Sequence, residues 1–504
     1  MSNETFAPGA ETPLAFRAVR GGLWVALSSY FNVVFGFVAN LALTRILAPE
    51  DFGIFALATF FFALVNVRPK IGIGYAFGQR QETTGELVGT HLALDVSAGF
   101  LTLMLAAVAV PVLRALGYSW EIAWVLLALG AIGILDSIMG TAWVLLDKDW
   151  HFGHTSLVSS IVFPVTYVPA FWLALNGGGY WSLVAQAAAY AGLLLVGMWW
   201  VARRRLKHVW QLRWRFDLRV ARGLVGFGGL VGLAGLAAMF IGQFDNFLVG
   251  TFVGVAALGY YDRAYRIGQW PNMLVTTVLS RTAFYTYARL QDDAARLQKT
   301  LTMSLWLIAN LALLQAVAIF VAAPDLVVWL YGERWAPSAL FLRFLVLYSV
   351  LRPILDNAGS FLMGVGKPRT AVTVAGLQTA LLVILGIPLT LQFGVLGTCV
   401  AVGITLLAAL AVSYRYVARE IAVQVKVTVG PAVVAAGLAV VAYFVLLRVV
   451  DFDGWPLIVR VLAKLAFAAC IYCAALFAMQ PRGVVERMTY IWRLARGNRA
   501  AMAH

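Results

Sequence analysis

The sequence predicts an all-α integral membrane protein. Three observations carry that prediction: apolar residues far outnumber charged ones, the apolar runs are long enough to cross a bilayer, and the links between them are short. Of 504 residues, 62% are hydrophobic and 12% are charged, and the mean hydropathy is +0.84. A soluble domain carries about a quarter of its residues as charges. Lipid offers no partner to a bare amide, and the runs lack the alternation of barrel strands, so each is read as a helix.

Windows of about 20 apolar residues give about fourteen spans. Their centres fall near Val33, Phe62, Leu101, Leu129, Val165, Ala191, Leu233, Leu274, Leu311, Val350, Ile384, Leu406, Ala439 and Phe467. Residues 1–16 are polar, carry Pro8 and Pro13, and are expected to be disordered. Arg17 and Arg20 precede a first span too long for a cleaved signal peptide, which is expected to stay as an anchor.

The second span, FFALVNVRPKIGIGYAFGQR, is interrupted by Arg68, Pro69 and Lys70. The apolar stretch from Phe52 to Val65 would cover roughly 21 Å at about 1.5 Å per residue. A hydrocarbon core is about 30 Å thick, so the span must run on through the charges towards Phe77. Pro69 has no amide to donate and biases Arg68 away from helical geometry, so a kinked or broken helix is predicted. Such a break is tolerated at membrane depth only against protein or a water-filled cavity.

Part of the chain repeats. NLALTRILAPEDFGIFALA from Asn40 aligns without gaps with NFLVGTFVGVAALGYYDRA from Asn246, so that Gly53 meets Gly259, Phe55 meets Tyr261 and Ala58 meets Ala264. The tripeptide ILD recurs at 134–136 and 354–356. These matches pair spans one and two with seven and eight, and span four with ten, which predicts a six-span unit used twice. The halves would run the same way through the membrane, with a substrate cavity expected between them. The expected organisation is a disordered N-terminus (1–16), a six-helix lobe (17–202), a basic link (203–222), a second six-helix lobe (223–420), two extra helices (421–480) and a basic tail (481–504).

The formal net charge of +15 follows the bias of a membrane protein. With a cytoplasmic N-terminus, the cytoplasmic links hold about 26 of the Lys and Arg residues, and the opposite links roughly four: Arg45, Arg114, Arg334 and Arg448. Both termini are therefore expected in the cytoplasm. Trp210 and Trp214 interleave the cations of the basic link, as in an interfacial amphipathic stretch, so nucleic acid is not an expected partner. Cys399, Cys470 and Cys473 fall in spans, and His151 and His154 of HFGH have no cysteine ligands nearby, so neither set is expected to bind metal. Gly228 and Gly232 have the small-xxx-small spacing of tight helix packing.

Several segments carry a family resemblance. LAPEDFGIFALA, GYAFGQRQETTGELVGTHLALDVSAG and, most specifically, FDNFLVGTFVGVAALGYYDRAYRI resemble the polysaccharide-transporter branch of the MOP superfamily. That branch holds Wzx-type oligosaccharide flippases and their lipopolysaccharide and exopolysaccharide relatives. The resemblance implies a flippase in the bacterial inner membrane that moves undecaprenyl-pyrophosphate-linked oligosaccharide by alternating access. Polysaccharide assembly proteins would be its neighbours, and no cofactor is expected beyond a coupling ion, H+ or Na+.

Ionisable groups inside spans cost about 2.5–3.5 kcal/mol each at mid-helix on insertion scales, so they are expected to pair or to face water. They are Arg68 and Lys70 in span two, Asp95 in three, Asp136 in four and Asp245 in seven. Span eight holds Asp262, Arg263 and Arg266, span ten Arg352 and Asp356, and span fourteen Arg460 and Lys464. With a pyrophosphate implied, Arg68, Lys70, Arg263, Arg266 and Arg352 are the candidate substrate-binding cations, guanidinium offering a planar fork and ammonium a compact charge. Snorkelling to lipid phosphates is the other reading of Arg68 and Lys70. Asp136, Asp245, Asn246 and Asp356 are the candidate coupling or gating residues.

Structural readings stand beside these. Asp245 could be the hydrogen-bond partner of Arg263 or Arg266, and Asp136 and Asp356, at equivalent repeat positions, could be caps or inter-helix bonds. Asp262 would simply reach water, while Arg460 and Lys464 would pack against headgroups or the bundle.

Two other classes of function fit the sequence less well. A lipid II flippase or a drug/cation antiporter belongs to the same superfamily, although an antiporter for cationic drugs favours acidic and aromatic cavities rather than cations at depth. A membrane polysaccharide polymerase or ligase needs a sizeable outer loop. The longest outer link, around APDLVVWLYGERWAPSA, offers one Asp, one Glu and one Arg. An enzyme, and hence a catalytic residue, is not expected.

Overall fold

The computed structural model describes residues 14–270, 272, 283–452 and 454–495, and the side chains of 14–20, 70–71, 227–238 and 490–495 lie outside that description. Among the described residues the regular elements are helical, and ten helices are long and apolar enough to cross a membrane. One of the ten, Pro368–Glu420, is two helices merged across Gly394 (φ 59°, ψ −140°), and it carries both the Ile384 and Leu406 centres. Phe62 lies on a shorter helix, Pro49–Val65, and Leu233 on Leu218–Phe252. Leu274 lies outside the described residues. The chain divides into two compact units, Met1–Phe240 and Ile241–His504.

The first unit begins with α1 (Leu14–Ile46), which starts inside the stretch expected to be disordered. Leu14, Ala15 and Phe16 are therefore helical, because they join the apolar run that follows them. Pro49 opens α2 (Pro49–Val65), where its missing amide costs nothing, and Asp51 Oδ2 accepts the Ala48 N–H at 2.9 Å. After Val65 the span breaks, as the Arg-Pro-Lys sequence predicts. A 3-10 turn at Arg68–Ile71 leads through Gly72 (φ 54°) into α3 (Ile73–Gln79). Side chains replace the lost ladder partners: Val67 N–H donates to Thr102 Oγ1 at 3.0 Å and Arg68 N–H to Asn66 Oδ1 at 3.3 Å.

Then come α4 (Gly85–Ala115), capped by Thr84, α5 (Trp120–Lys148), α6 (Phe152–Val165), α7 (Tyr167–Leu175), α8 (Trp181–Arg205) and the short α9 (Lys207–Trp210). Ile73 and Phe77 of α3 join a buried core with Val88, Leu146 and Met198, which anchors the far side of the break. The basic link is held on this unit. Trp210 and Trp214 pack on Trp199, and Asp217 N–H donates to Thr90 Oγ1 at 2.9 Å. The division between units accordingly falls inside α10 (Leu218–Phe252), not at the link. Asp217 caps α10 by accepting the N–H groups of Arg219 and Val220, and these bonds hold its carboxyl below the usual range. Gly228 and Gly232 are helical here, with surroundings outside the described residues.

The second unit continues with α11 (Val255–Gly268), α12 (Ala294–Tyr331), α13 (Ser338–Gly364) and α14 (Pro368–Glu420). Residues 323–331, expected in an outer link, are the last turns of α12, since Pro324 is accommodated within that helix. The extra helices α15 (Val425–Val449) and α16 (Leu457–Met479) bury Ala435, Ala439, Tyr443, Ala468 and Tyr472 against Val317 and Val321 of α12. Part of the expected tail is a helix, α17 (Pro481–Ala495). The repeated sequences occupy corresponding elements: one runs from α1 into α2, the other from α10 into α11, and the ILD tripeptides lie on α5 and α13.

Candidate functional site

In the first unit the broken span carries the site. The turn at Arg68–Ile71 aims Arg68 at α4, where its Nε donates to Asp95 Oδ1 at 2.9 Å. The Asp95 side chain is 3% exposed and that of Arg68 30% exposed. The carboxylate is thus buried while the Arg68 side chain stays partly exposed. Asp136 of α5 has no hydrogen-bond partner among the described residues and interacts electrostatically with Arg68 and Tyr190. The cap or inter-helix bond expected for Asp136 is absent there. The side chain of Lys70 lies outside the described residues. Close by, His91 Nδ1 meets Thr141 Oγ1 at 2.9 Å and its ring packs edge-on against Phe77, while Nε2 has no hydrogen-bond partner among the described residues. Nothing in the apolar periodicity around His91 pointed to this cluster.

In the second unit two groups form. Asp262 accepts from Arg263 Nη2 at 2.5 Å and from Arg266 Nε at 3.1 Å, so it is paired instead of merely reaching water. This pairing also corrects the expected bond between Asp245 and these arginines. Asp245, buried, accepts instead from the Tyr261 hydroxyl at 2.8 Å and from the Asn246 amide at 2.9 Å. The Asn246 side chain donates to Gln243 Oε1 at 2.9 Å. Arg263 is 1% exposed and offers no face to a ligand in this conformation, whereas the Arg266 side chain is 55% exposed.

Arg352 pairs with Asp356 one turn away on the same helix, at 3.1 Å, which replaces the expected inter-helix bond of Asp356. A ladder of rings, Tyr261 on Tyr265 and Tyr265 on Tyr348, leads from Asp245 towards this pair. The i,i+4 spacing of Tyr261 and Tyr265 was a readable sign of that ladder; the contribution of Tyr348 was not readable.

Elsewhere, Lys464 of α16 is hydrogen-bonded to Asp325 of α12, and Arg460 Nη1 lies 3.7 Å from the same carboxylate. Both cations therefore pack against the bundle. In the short link before α6, burial pushes the His151 imidazole below its usual range, and the ring packs edge-on against His154. Among the described residues no group of three or more His, Cys, Asp or Glu is gathered as for a metal ion.

A family model described as "Polysaccharide biosynthesis protein" matches residues 42–340. A membrane protein in the cps region of Klebsiella pneumoniae is 22% identical over 71% of this chain and 73% of its own length. The succinoglycan biosynthesis transport protein ExoT of Rhizobium meliloti (strain 1021) is 26% identical over 68% of each chain. Among solved structures, the lipid II flippase MurJ in an inward closed conformation matches with a TM-score of 0.69 and 13% identity, covering 92% of this chain and 100% of its own. An inward-facing multidrug resistance MATE family transporter of the MOP superfamily matches with a TM-score of 0.64 and 14% identity, covering 79% of this chain and 95% of its own. At these identities the two structures establish the fold.

Proposed function

The chain belongs to the polysaccharide biosynthesis protein family, and from that premise we propose that it translocates undecaprenyl-pyrophosphate-linked oligosaccharide for cell-surface polysaccharide assembly. In this reading the membrane is the bacterial inner membrane, and the Lys and Arg distribution supports cytoplasmic termini. The observation that carries the reading is Arg68. The span predicted from sequence is broken by a turn at Arg68, and the Arg68 side chain there is 30% exposed. An intramembrane cation with an open face is costly unless it serves an anionic ligand or water. A diphosphate supplies what a guanidinium fork fits best, paired oxygens with full negative charge.

Alternating access requires two states that bind the driving ion unequally. Asp245 and Asn246 are the residues proposed to hold that ion, H+ or Na+, with Asp136 and Asp356 as gating candidates. Arg266 and Arg352 are the second unit's candidates for contact with the anionic substrate, and the Lys70 ammonium would reinforce Arg68. The reading requires no covalent chemistry.

A deletion strain tests it. Lipid-linked repeat units should accumulate in a form protected from external glycosidase, and complementation with Arg68→Ala at equal protein level should fail. Normal outward display of the units in the deletion strain would overturn the reading.

A further inference from the structure

The carboxylate beside Arg68 is buried and makes a cross-helix contact. Asp95 lies on α4, 27 residues from Arg68 in sequence, and makes one bond, from Arg68 Nε to Oδ1. Nε is the only guanidinium nitrogen of Arg68 with a hydrogen-bond partner among the described residues. A carboxylate can take a guanidinium by two parallel bonds, and here it does not. Both groups lie against Gly140 of α5. A Cβ at Gly140 would overlap Arg68 Nη2, would come within 2.9 Å of Cζ, and would lie 3.1 Å from Asp95 Oδ2. The absent side chain at Gly140 thus leaves the space in which the guanidinium and the second carboxylate oxygen both sit.

We propose that Asp95 is a resident counter-ion that positions Arg68 and competes with the substrate's diphosphate for it, so that bound diphosphate can leave. This rests on the reading of Arg68 as the diphosphate-binding cation. In the empty protein the single bond neutralises both charges. An arriving diphosphate takes the free N–H groups, and the fixed negative charge at Asp95 then opposes its retention. A carrier needs binding strong enough to admit its cargo and weak enough to release it, and in a medium of low dielectric a carboxylate at this distance is an effective opponent. Asp95 would therefore lower affinity and raise turnover, a split that a purely structural role does not produce.

The test uses the full chain in nanodiscs with undecaprenyl pyrophosphate as the probe, and in proteoliposomes for transport. Asp95→Asn is expected to bind the probe about tenfold tighter, the worth of one charge-assisted hydrogen bond, and to transport more slowly. Arg68→Gln should lose binding, and Asp95→Asn combined with it should bind no better than Arg68→Gln alone. Gly140→Ala, with both charges kept, should weaken probe binding by unseating the guanidinium. It serves as the independent variant if Asp95→Asn does not fold. If Arg68→Gln loses the probe while Asp95→Asn binds it no tighter than the parent protein, the competition is overturned and the site reading stands. Unchanged binding in Gly140→Ala also overturns the proposed seat. If Arg68→Gln binds normally, the site reading falls, and the role of Asp95 with it.

Discussion

The Arg68–Asp95 and Arg352–Asp356 pairs look alike by their numbers. Their shortest contacts are 2.9 and 3.1 Å, and the arginine side chains are 30% and 34% exposed. Their construction differs. Arg352 and Asp356 sit one turn apart on α13, so the pair survives any movement of that helix as a body. Arg68 and Asp95 belong to separate elements, and their contact exists because α2 stops, the chain turns at Pro69, and Gly140 leaves room. A local pair makes an intramembrane charge tolerable. A pair that bridges a helix break reports, and can control, the conformation of that break.

Four experiments would break or sharpen this contrast, taken from the largest effect downward. Arg68→Ala should abolish transport, at least a tenfold loss at equal protein level, in proteoliposomes. Lys464→Ala should leave Asp325 buried beside Arg460 alone and destabilise the protein by about 3–5 kcal/mol, as expected for removing one partner of a buried pair. That loss would be read as a fall in thermal midpoint, with transport per folded molecule preserved, because the Lys464 pair ties α16 to α12 and touches no candidate site. Tyr261→Phe should cost about 1–3 kcal/mol by removing the hydroxyl that satisfies buried Asp245, and should shift the ion dependence of transport more than its maximal rate. Arg352→Ala should change stability by only about 0.5 kcal/mol, the scale of an i,i+4 pair, and, as a secondary substrate contact, should slow transport without abolishing it; complete loss, as for Arg68→Ala, would erase the distinction between the two pairs.

The sequence made the broken span legible because a proline and two cations cannot continue a helix through lipid, and the length from Phe52 to Val65 left no other place for them. It also made the repeat legible, since the Gly53 and Gly259 matches preserve how one span enters the next. It did not reveal who pairs with whom. Asp245 was weighed as a partner for Arg263 or Arg266, yet Asp262 is adjacent to Arg263 and one turn from Arg266, and it holds both arginines. Asp95 and Arg68 meet only through tertiary packing, which periodicity does not encode. The sequence reading places Asp325 in the outer link around APDLVVWLYGERWAPSA. Inside a bundle, neighbouring helices keep Pro324 within α12.

The most direct measurement of the central claim is translocation in proteoliposomes of one orientation, loaded with undecaprenyl-pyrophosphate-linked oligosaccharide on the cytoplasmic side. Access of a glycosidase on the opposite side is then followed in time. The account predicts time-dependent cleavage with the parent protein and none above empty liposomes with Arg68→Ala. Equal cleavage with the parent protein, Arg68→Ala and empty liposomes would contradict it.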